Sequence, residues 1–173
     1  IIAKVNSPID AAVIEQLYAA SQAGVKIDLI VRGMCSLRPG IKGVSDNIRV
    51  VSIIDRYLEH ARVFYFHNGG NPTFWLASAD WMPRNFIRRI EIAFPVLEPQ
   101  LQKRLKEILE LQLTDTVKSW WMKADGSYAR NSKGEPSVRF QERIYEILQA
   151  EGRPGTSKTI AAIDEQDFRA VDY

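Results

Sequence analysis

The chain has 173 residues, of which 46% are hydrophobic and 25% are charged; this is enough for one domain with a hydrophobic core and is typical of a soluble globular protein. No apolar run is long enough to cross a bilayer and no signal peptide is recognisable, so we expect a cytoplasmic protein. The net charge of +2 does not by itself indicate nucleic-acid binding, and the single cysteine, Cys35, excludes an internal disulfide and a cysteine-rich metal site.

The first third of the chain predicts a strand–helix–strand unit. Residues 1–5 are apolar and predict a short buried strand. Ser7 and Pro8 predict the start of a helix, with Ser7 as the N-cap and Pro8 at the first helical position, and Gly24 ends this helix. Residues 25–31 predict the next strand. This order of elements is typical of a parallel crossover connection.

The middle of the chain predicts a loop, several strands and a hairpin. The loop 32–47 is rich in Gly and Pro, and a short helical turn is predicted around Leu58. Four further segments have the length and apolar content of strands: 48–53, 62–66, 73–78 and 89–96. The second and third of these segments flank a turn that is rich in Asn and Gly, so they predict a β-hairpin.

The last part of the chain predicts two helices, 98–113 and 138–151, separated by a strand at 116–123 and a turn at 125–127. From residue 152 the chain is small and polar, and we expect a poorly ordered or externally docked tail. Together the elements predict an α/β fold with a mixed sheet flanked by helices and a C-terminal helical appendage. The predicted divisions are a catalytic domain at 1–123, a turn and helix at 124–151 and the tail at 152–173.

Two arginines that follow or lie within predicted strands are candidates for binding phosphate. Arg32 comes directly after a buried strand, where α/β sheets bind ligands, and a guanidinium group matches phosphate oxygens with two parallel donors. A salt-bridged arginine at a strand end explains this position equally well. We prefer Arg89 to Arg88, because the two side chains point to opposite faces of an extended segment and Glu91 would share the face of Arg89.

His60 is the third candidate, and it lies two residues before Arg62. Neighbouring cations repel each other, so an anion such as phosphate between the two side chains would explain the pair. The alternative is a structural histidine that is bonded to backbone groups. The only other histidine, His67, falls in the predicted hairpin turn, and we expect it to be exposed and uninvolved. A Walker loop, a dinucleotide-binding glycine motif and a serine-hydrolase elbow are all absent from the sequence.

Two motifs resemble the His-x-Lys and Gly-Ser-x-Asn pattern of the phospholipase D fold, namely His60-x-Arg62 and the segment 78–85. Arg62 stands where that family has Lys, and Ala77 where it has Gly. A closer resemblance covers nearly the whole chain. It is to the C-terminal catalytic region of the long-chain bacterial polyphosphate kinases, whose two tandem domains are phospholipase-D-like. The segments that carry it are 2–7, 17–27, 29–40, Leu58-Glu59-His60-x-Arg62 and Ser78-Ala79-Asp80-Trp81-Met82-x-Arg84-Asn85.

This resemblance implies that the chain is the second phospholipase-D-like domain and part of a longer polypeptide, which agrees with a sequence that does not open on Met. It implies reversible transfer of the terminal phosphate of ATP to inorganic polyphosphate through a phosphohistidine in the preceding domain. Arg32 and His60 match family positions that contact the nucleotide phosphates, and Arg89 matches a third. His60 is also the candidate general acid or base, since histidine exchanges protons near neutral pH.

The resemblance also implies a cofactor and partners. Magnesium is implied for the whole enzyme, bound mainly by residues outside this chain, and no metal site is predicted within it. The implied partners are ATP or ADP, inorganic polyphosphate, the upstream domains of the same polypeptide and a second copy in a homo-oligomer. No nucleic acid is expected, and peripheral membrane association is left open. Two other functions remain open: half of a phospholipase-D-like phosphodiesterase or nuclease in which His60 attacks phosphorus, and a non-catalytic module that binds polyanions.

Overall fold

A computed structural model describes residues 1–130 and 137–152 of the chain. Its eight strands are β1 Ile2–Val5, β2 Ile27–Val31, β3 Ile48–Ile53, β4 Val63–Phe66, β5 Thr73–Ala77, β6 Ala93–Pro95, β7 Ser119–Met122 and β8 Tyr128–Arg130. Its four α-helices are α1 Ala11–Gln22, α2 Pro83–Ile87, α3 Pro99–Leu113 and α4 Phe140–Glu151.

All eight strands belong to one mixed sheet, in the order β6-β5-β4-β1-β2-β3-β7-β8. The three central strands, β1, β2 and β3, pair in parallel, and every other pair is antiparallel. The β4–β5 pair is the predicted hairpin. The predicted α/β fold with a mixed sheet, flanking helices and a C-terminal helix is therefore confirmed.

The alternation of side chains along the central strands builds a core on each face of the sheet. On one face, Leu29 and Val50 pack with Ile14 and Leu17 of α1. On the other face, residues of the same strands with the opposite parity, such as Ile30 and Val51, pack with Leu109 of α3. These two layers of helix hold the ends of the parallel strands in fixed positions.

The predicted start of α1 is wrong by about one turn. Asp10, not Ser7, is the N-cap, and its side chain accepts a hydrogen bond from Val13 N at 3.1 Å. The Ser7 hydroxyl instead accepts a hydrogen bond from Met34 N at 3.2 Å, and the carbonyl of Pro8 accepts one from Ser36 N at 3.1 Å. The capping groups of this segment are thus used by the loop after β2, which delays the start of the helix.

Two predictions in the middle of the chain are also wrong. No helical turn forms around Leu58, because the peptide groups there bond to side chains elsewhere in the fold. The strand predicted at 89–96 is reduced to Ala93–Pro95, since its partner β5 ends at Ala77 and Ile92 N bonds to the side chain of Ser78 instead of its backbone. The short helix α2 before it was not predicted.

Helices α3 and α4 and strand β7 lie within their predicted ranges, and β8 adds an edge strand that was not predicted. The predicted domain boundaries at 123 and 151 stay predictions. The predicted tail, 152–173, lies outside the described residues except for Gly152. No helix within residues 1–130 and 137–152 is long and apolar enough to cross a membrane.

Candidate functional site

Four polar side chains meet at one edge of the sheet. Asn6 follows β1 and Arg32 follows β2, which is parallel to it. Arg62 precedes β4, which is antiparallel to β1, and Asp80 follows β5, which is antiparallel to β4. The topology therefore brings all four residues to the edge where the parallel strands end, the edge at which α/β sheets bind ligands.

Asp80 is the centre of this group and is 5% exposed. Its carboxylate accepts hydrogen bonds from Asn6 N at 2.6 Å, Asn6 Nδ2 at 3.1 Å and Arg62 Nη2 at 2.8 Å. Burial acts to raise the pKa of Asp80, but the hydrogen bonds from Arg62 and Asn6 outweigh it and hold the pKa below its usual range. Asp80 thus joins the ends of β1 and β5 through a carboxylate that stays ionised.

Replacement of Asp80 by Asn is expected to lower the free energy of unfolding by about 2–3 kcal/mol at neutral pH, because it leaves Arg62, whose side chain is 13% exposed, without its counter-charge. The folded-state pKa of Asp80 is lowered, so its stabilisation is complete above the unfolded-state pKa of about 4 and is lost as the pH falls through the folded-state pKa. Thermal unfolding of both proteins from pH 7 to pH 2 should show the difference shrinking only below about pH 4. A difference that is constant over this range would contradict the ionised bridge.

Arg32 is half-buried and is oriented by a single contact. Its Nε donates to Asn6 Oδ1 at 2.9 Å. Among the described residues, its Nη1 and Nη2 atoms make no hydrogen bond, so the two-pronged end of the guanidinium is available to a ligand. The next residue must be glycine, because a Cβ at Gly33 would lie 2.7 Å from Ser7 Oγ and 2.9 Å from the carbonyl oxygen of Asn6.

His60 is exposed and lies against the guanidinium of Arg62. Arg62 Nη1 is 3.1 Å from His60 Nδ1, and Arg62 Nη2 is 3.3 Å from His60 Nε2. The sequence led us to expect an anion between the two side chains, but they are in direct contact, and Asp80 supplies the negative charge beside Arg62. Arg62 Nε is buried and has no hydrogen-bond partner among the described residues, which leaves one donor of this group unused.

Arg89 is exposed and lies in the segment between α2 and β6, not in a strand. The argument that Arg88 and Arg89 point to opposite faces of an extended segment is therefore wrong. Arg88 ends α2 in a helical conformation, with φ −117° and ψ −5°. The neighbouring Glu91 is held by hydrogen bonds from Ser78 Oγ and Asn85 Nδ2. These two bonds, with a smaller contribution from the charge of Arg89, lower the pKa of Glu91.

A fourth cation, Lys4, lies beneath this edge and is 3% exposed. Its ammonium group is 3.3 Å from a carboxylate oxygen of Glu59. Burial lowers the pKa of Lys4, the charge and hydrogen bond of Glu59 oppose that effect, and the charges of Arg32 and Arg62 reinforce it. Three cations, Lys4, Arg32 and Arg62, thus lie near one another at this edge, and two of them are paired with the carboxylates of Glu59 and Asp80.

The described residues at this edge do not fit a magnesium site. Within residues 1–130 and 137–152, no three His, Cys, Asp or Glu side chains are grouped closely enough to hold a metal ion. The three acids at this edge are each held by other side chains: Asp80 by Arg62, Glu59 by Lys4, and Glu91 by Ser78 and Asn85.

Residues 1–141 match the family model of the polyphosphate kinase C-terminal domain 2. The chain belongs to the polyphosphate kinase family. It is 54% identical over 147 residues to polyphosphate kinase of Rhodopirellula baltica, covering 84% of this chain and 17% of that protein. It is 55% identical over 144 residues to polyphosphate kinase 1 of Chlorobaculum tepidum, covering 83% of this chain and 21% of that protein.

The crystal structure of polyphosphate kinase from Porphyromonas gingivalis superposes on this domain with a TM-score of 0.83 and 46% identity, over 87% of this chain and 23% of that one. The predicted fold class and family are thereby confirmed. This polyphosphate kinase domain spans about a fifth of the length of the curated relatives it matches.

The structure brings two of the three predicted site residues of the polyphosphate kinase domain together. Arg32 and His60 are joined through Asn6, Asp80 and Arg62. Among the described residues, Arg89 is connected to this group only through Glu91, on whose carboxylate the charges of both Arg89 and Arg62 act. Sequence reasoning did not assign roles to Asn6, Lys4 or Glu91. The signal that could have found Asn6 is its place directly after a buried strand, the same signal that singled out Arg32.

Proposed function

We propose that this chain forms part of the active site of a polyphosphate kinase that reversibly transfers the terminal phosphate of ATP to inorganic polyphosphate. In this proposal Arg32, His60 and Arg89 bind phosphate groups. The transferred phosphate is carried by a phosphohistidine of a preceding domain. ATP or ADP and polyphosphate are the substrates, the upstream domains are partners within the polypeptide, and magnesium is bound mainly by other parts of the protein.

The observation that carries the proposal is the unused pair of Nη groups on Arg32, oriented by Asn6 at the carboxyl edge of the parallel strands. Phosphoryl transfer depends mainly on positioning and on stabilising the charge of the equatorial phosphate oxygens. A guanidinium held at a rigid strand end offers two parallel donors to those oxygens and costs little reorganisation. Lys4 and Arg62 are each paired with a carboxylate, Glu59 and Asp80, which leaves the guanidinium of Arg32 as the cation without an acidic partner in this group of described residues.

His60 is suited to proton transfer in this arrangement. It is exposed at the edge of the site, and Arg62 holds it from one side. An imidazole in this place can donate a proton to the leaving phosphate or accept one from the attacking chain. The contacts of Arg62 with Asp80 and His60 tie this group to the same network that orients Arg32.

A transfer assay tests the proposal against its alternatives. The assay uses the full-length enzyme, meaning a polypeptide that contains this chain and has the full length of its relatives. It is supplied either with γ-labelled ATP and polyphosphate or with a phosphodiester. We expect label to enter polyphosphate and the phosphodiester to stay intact. Cleavage of the phosphodiester would favour the phosphodiesterase function instead, and binding of polyphosphate without transfer would favour the polyanion-binding module.

The chain by itself is expected to fold but not to become phosphorylated, because the proposed phosphohistidine lies in another domain. Circular dichroism should show the α/β fold, and incubation with labelled ATP and magnesium should leave the chain unlabelled. The full-length enzyme, treated in parallel, is the positive control. Stoichiometric, acid-labile phosphate on the isolated chain would overturn this expectation and make His60 the nucleophile.

A further inference from the structure

The segment 54–62, which carries His60 from β3 to β4, has no regular secondary structure and no strand partner. Its backbone is bound instead by a side chain of α4. Tyr57 N donates to Gln141 Oε1 at 2.7 Å, and Gln141 Nε2 donates to the carbonyl oxygen of Tyr57 at 2.8 Å. The Gln141 amide therefore satisfies both backbone polar groups of Tyr57, as a neighbouring strand would do.

Glu59, directly before His60, is held from three different elements. Its carboxylate is 3.3 Å from Lys4 Nζ of β1, and it accepts hydrogen bonds from Gln112 Nε2 of α3 at 3.2 Å and from Gln141 Nε2 of α4 at 2.9 Å. All three donor residues are at most 5% exposed. Gln112 Oε1 has no hydrogen-bond partner among the described residues, but both carboxylate oxygens of Glu59 are bound by buried donors, so the position of Glu59 is closely defined.

The start of α4 is itself fixed to the fold. Arg139 makes a two-pronged ion pair with Asp55, with distances of 2.8 Å from Nε and 2.7 Å from Nη2. Phe140 N donates to Asp115 Oδ2 at 2.8 Å. The pKa of Asp55 is lowered mainly by the hydrogen bond from Arg139. Gln141 is thus presented to the segment 54–62 from a rigid helix start.

From these contacts we propose that Gln141, acting with Glu59, is a positioning residue for His60, so that α4 belongs to the phosphate site without touching phosphate. This inference rests on the proposed role of His60. His60 is exposed, and the polar contacts of its ring with described residues are with Arg62 alone. Its location is therefore set by its neighbours in the chain, Glu59 on one side and Arg62 on the other.

The expected effect of losing this support is larger on turnover than on binding, because two of the three proposed phosphate-binding residues, Arg32 and Arg89, make no contact with Gln141. A displacement of about 1 Å of a catalytic group can lower a rate by on the order of a hundredfold. Arg32 is held by Asn6 and does not depend on Gln141. Loss of Gln141 should therefore displace His60 and leave the phosphate contacts of Arg32 in place.

The test is a double-mutant cycle in the full-length enzyme. Gln141→Leu keeps the side-chain volume but removes all of its hydrogen bonds. We expect kcat to fall by about ten- to a hundredfold and the KM for ATP to change by less than about twofold. In a His60→Gln background, Gln141→Leu should lower kcat no further, because residues that act as a unit are not additive. Glu146→Gln, which breaks an exposed ion pair with Arg143 on the same helix, is the matched control and should leave kcat unchanged.

Glu59→Gln is a second variant in case Gln141→Leu does not fold, and it should show the same loss of kcat and the same dependence on His60. Two results would overturn the inference. One is that these variants have a lowered melting temperature but an unchanged kcat in the folded fraction. The other is that they lower kcat equally in the wild-type and His60→Gln backgrounds. If His60→Gln lowers kcat but Gln141→Leu does not, only the positioning role fails. If His60→Gln alone has wild-type kcat, the proposed role of His60 fails first.

Discussion

Replacement of Arg32 by Ala is expected to lower the transfer activity of the full-length enzyme by on the order of a hundredfold or more, since arginines that stabilise phosphoryl transfer carry rate factors of this size. The Nη groups of Arg32 make no hydrogen bond with any described residue, so their loss removes little from the fold. The lost bond to Asn6 should cost about 1 kcal/mol, or a few degrees in melting temperature. Steady-state kinetics and thermal unfolding of the same preparation measure both effects.

Arg49→Ala is the matched control for this experiment. Arg49 pairs with Asp28 through Nε at 2.6 Å and Nη2 at 3.0 Å, and it is exposed on strand β3. From sequence position alone, Arg32 could equally well have been a salt-bridged arginine of the kind that Arg49 is. Loss of Arg49 should leave transfer activity unchanged. If Arg32→Ala has normal activity and a much lower melting temperature, then Arg32 is a structural residue and does not bind phosphate.

Replacement of His60 by Gln is expected to lower kcat of the full-length enzyme by about a hundredfold to ten-thousandfold, the usual contribution of a general acid or base. Glutamine keeps similar size and hydrogen-bonding groups but cannot exchange a proton near neutral pH. The phosphohistidine intermediate, carried by another domain in our proposal, should still form, but slowly. Rapid-quench measurement of the labelled intermediate and of labelled polyphosphate separates the two steps.

His67→Gln controls for the loss of a histidine as such. His67 is exposed in the turn that follows β4, at the end opposite to His60, and its ring lies 3.3 Å from the hydroxyl of Tyr65. We expect it to have normal kcat. Normal turnover with lowered stability in His60→Gln would instead identify His60 as a structural histidine, the alternative that its sequence context left open.

Much of the fold could be predicted from local sequence patterns. Strands β1 to β5 and helices α1, α3 and α4 have apolar residues at the spacing of their own secondary structure, so their existence follows from the burial of one face or stripe. The errors arose where a local signal had a competitor. Ser7 is a favourable N-cap residue, but its hydroxyl bonds to Met34 N from the loop after β2, and the helix begins later.

The candidate site could be predicted only in part. Arg32, His60 and Arg89 stand out by residue type and by position in or next to predicted strands, and the resemblance to polyphosphate kinases agrees with all three. Arg89 was preferred to Arg88 on the assumption of an extended strand. That strand is shorter than predicted, because strand length is decided by the partner. Beyond Ala77 one more backbone bond forms, from Ser78 N to the carbonyl of Ile92, and Ile92 N then donates to the Ser78 side chain and not to a backbone carbonyl.

The sequence by itself determined the layered α/β architecture and the basic residues at its strand ends, because hydrophobic periodicity and strand-end position are local properties. Only the tertiary structure decided which side chains share a site. Asn6 meets Asp80 across 74 positions of the chain, and Tyr57 meets Gln141 across 84. Such pairs are brought together by strand order and helix packing, and their polar groups pair because burial removes the water that would otherwise satisfy them.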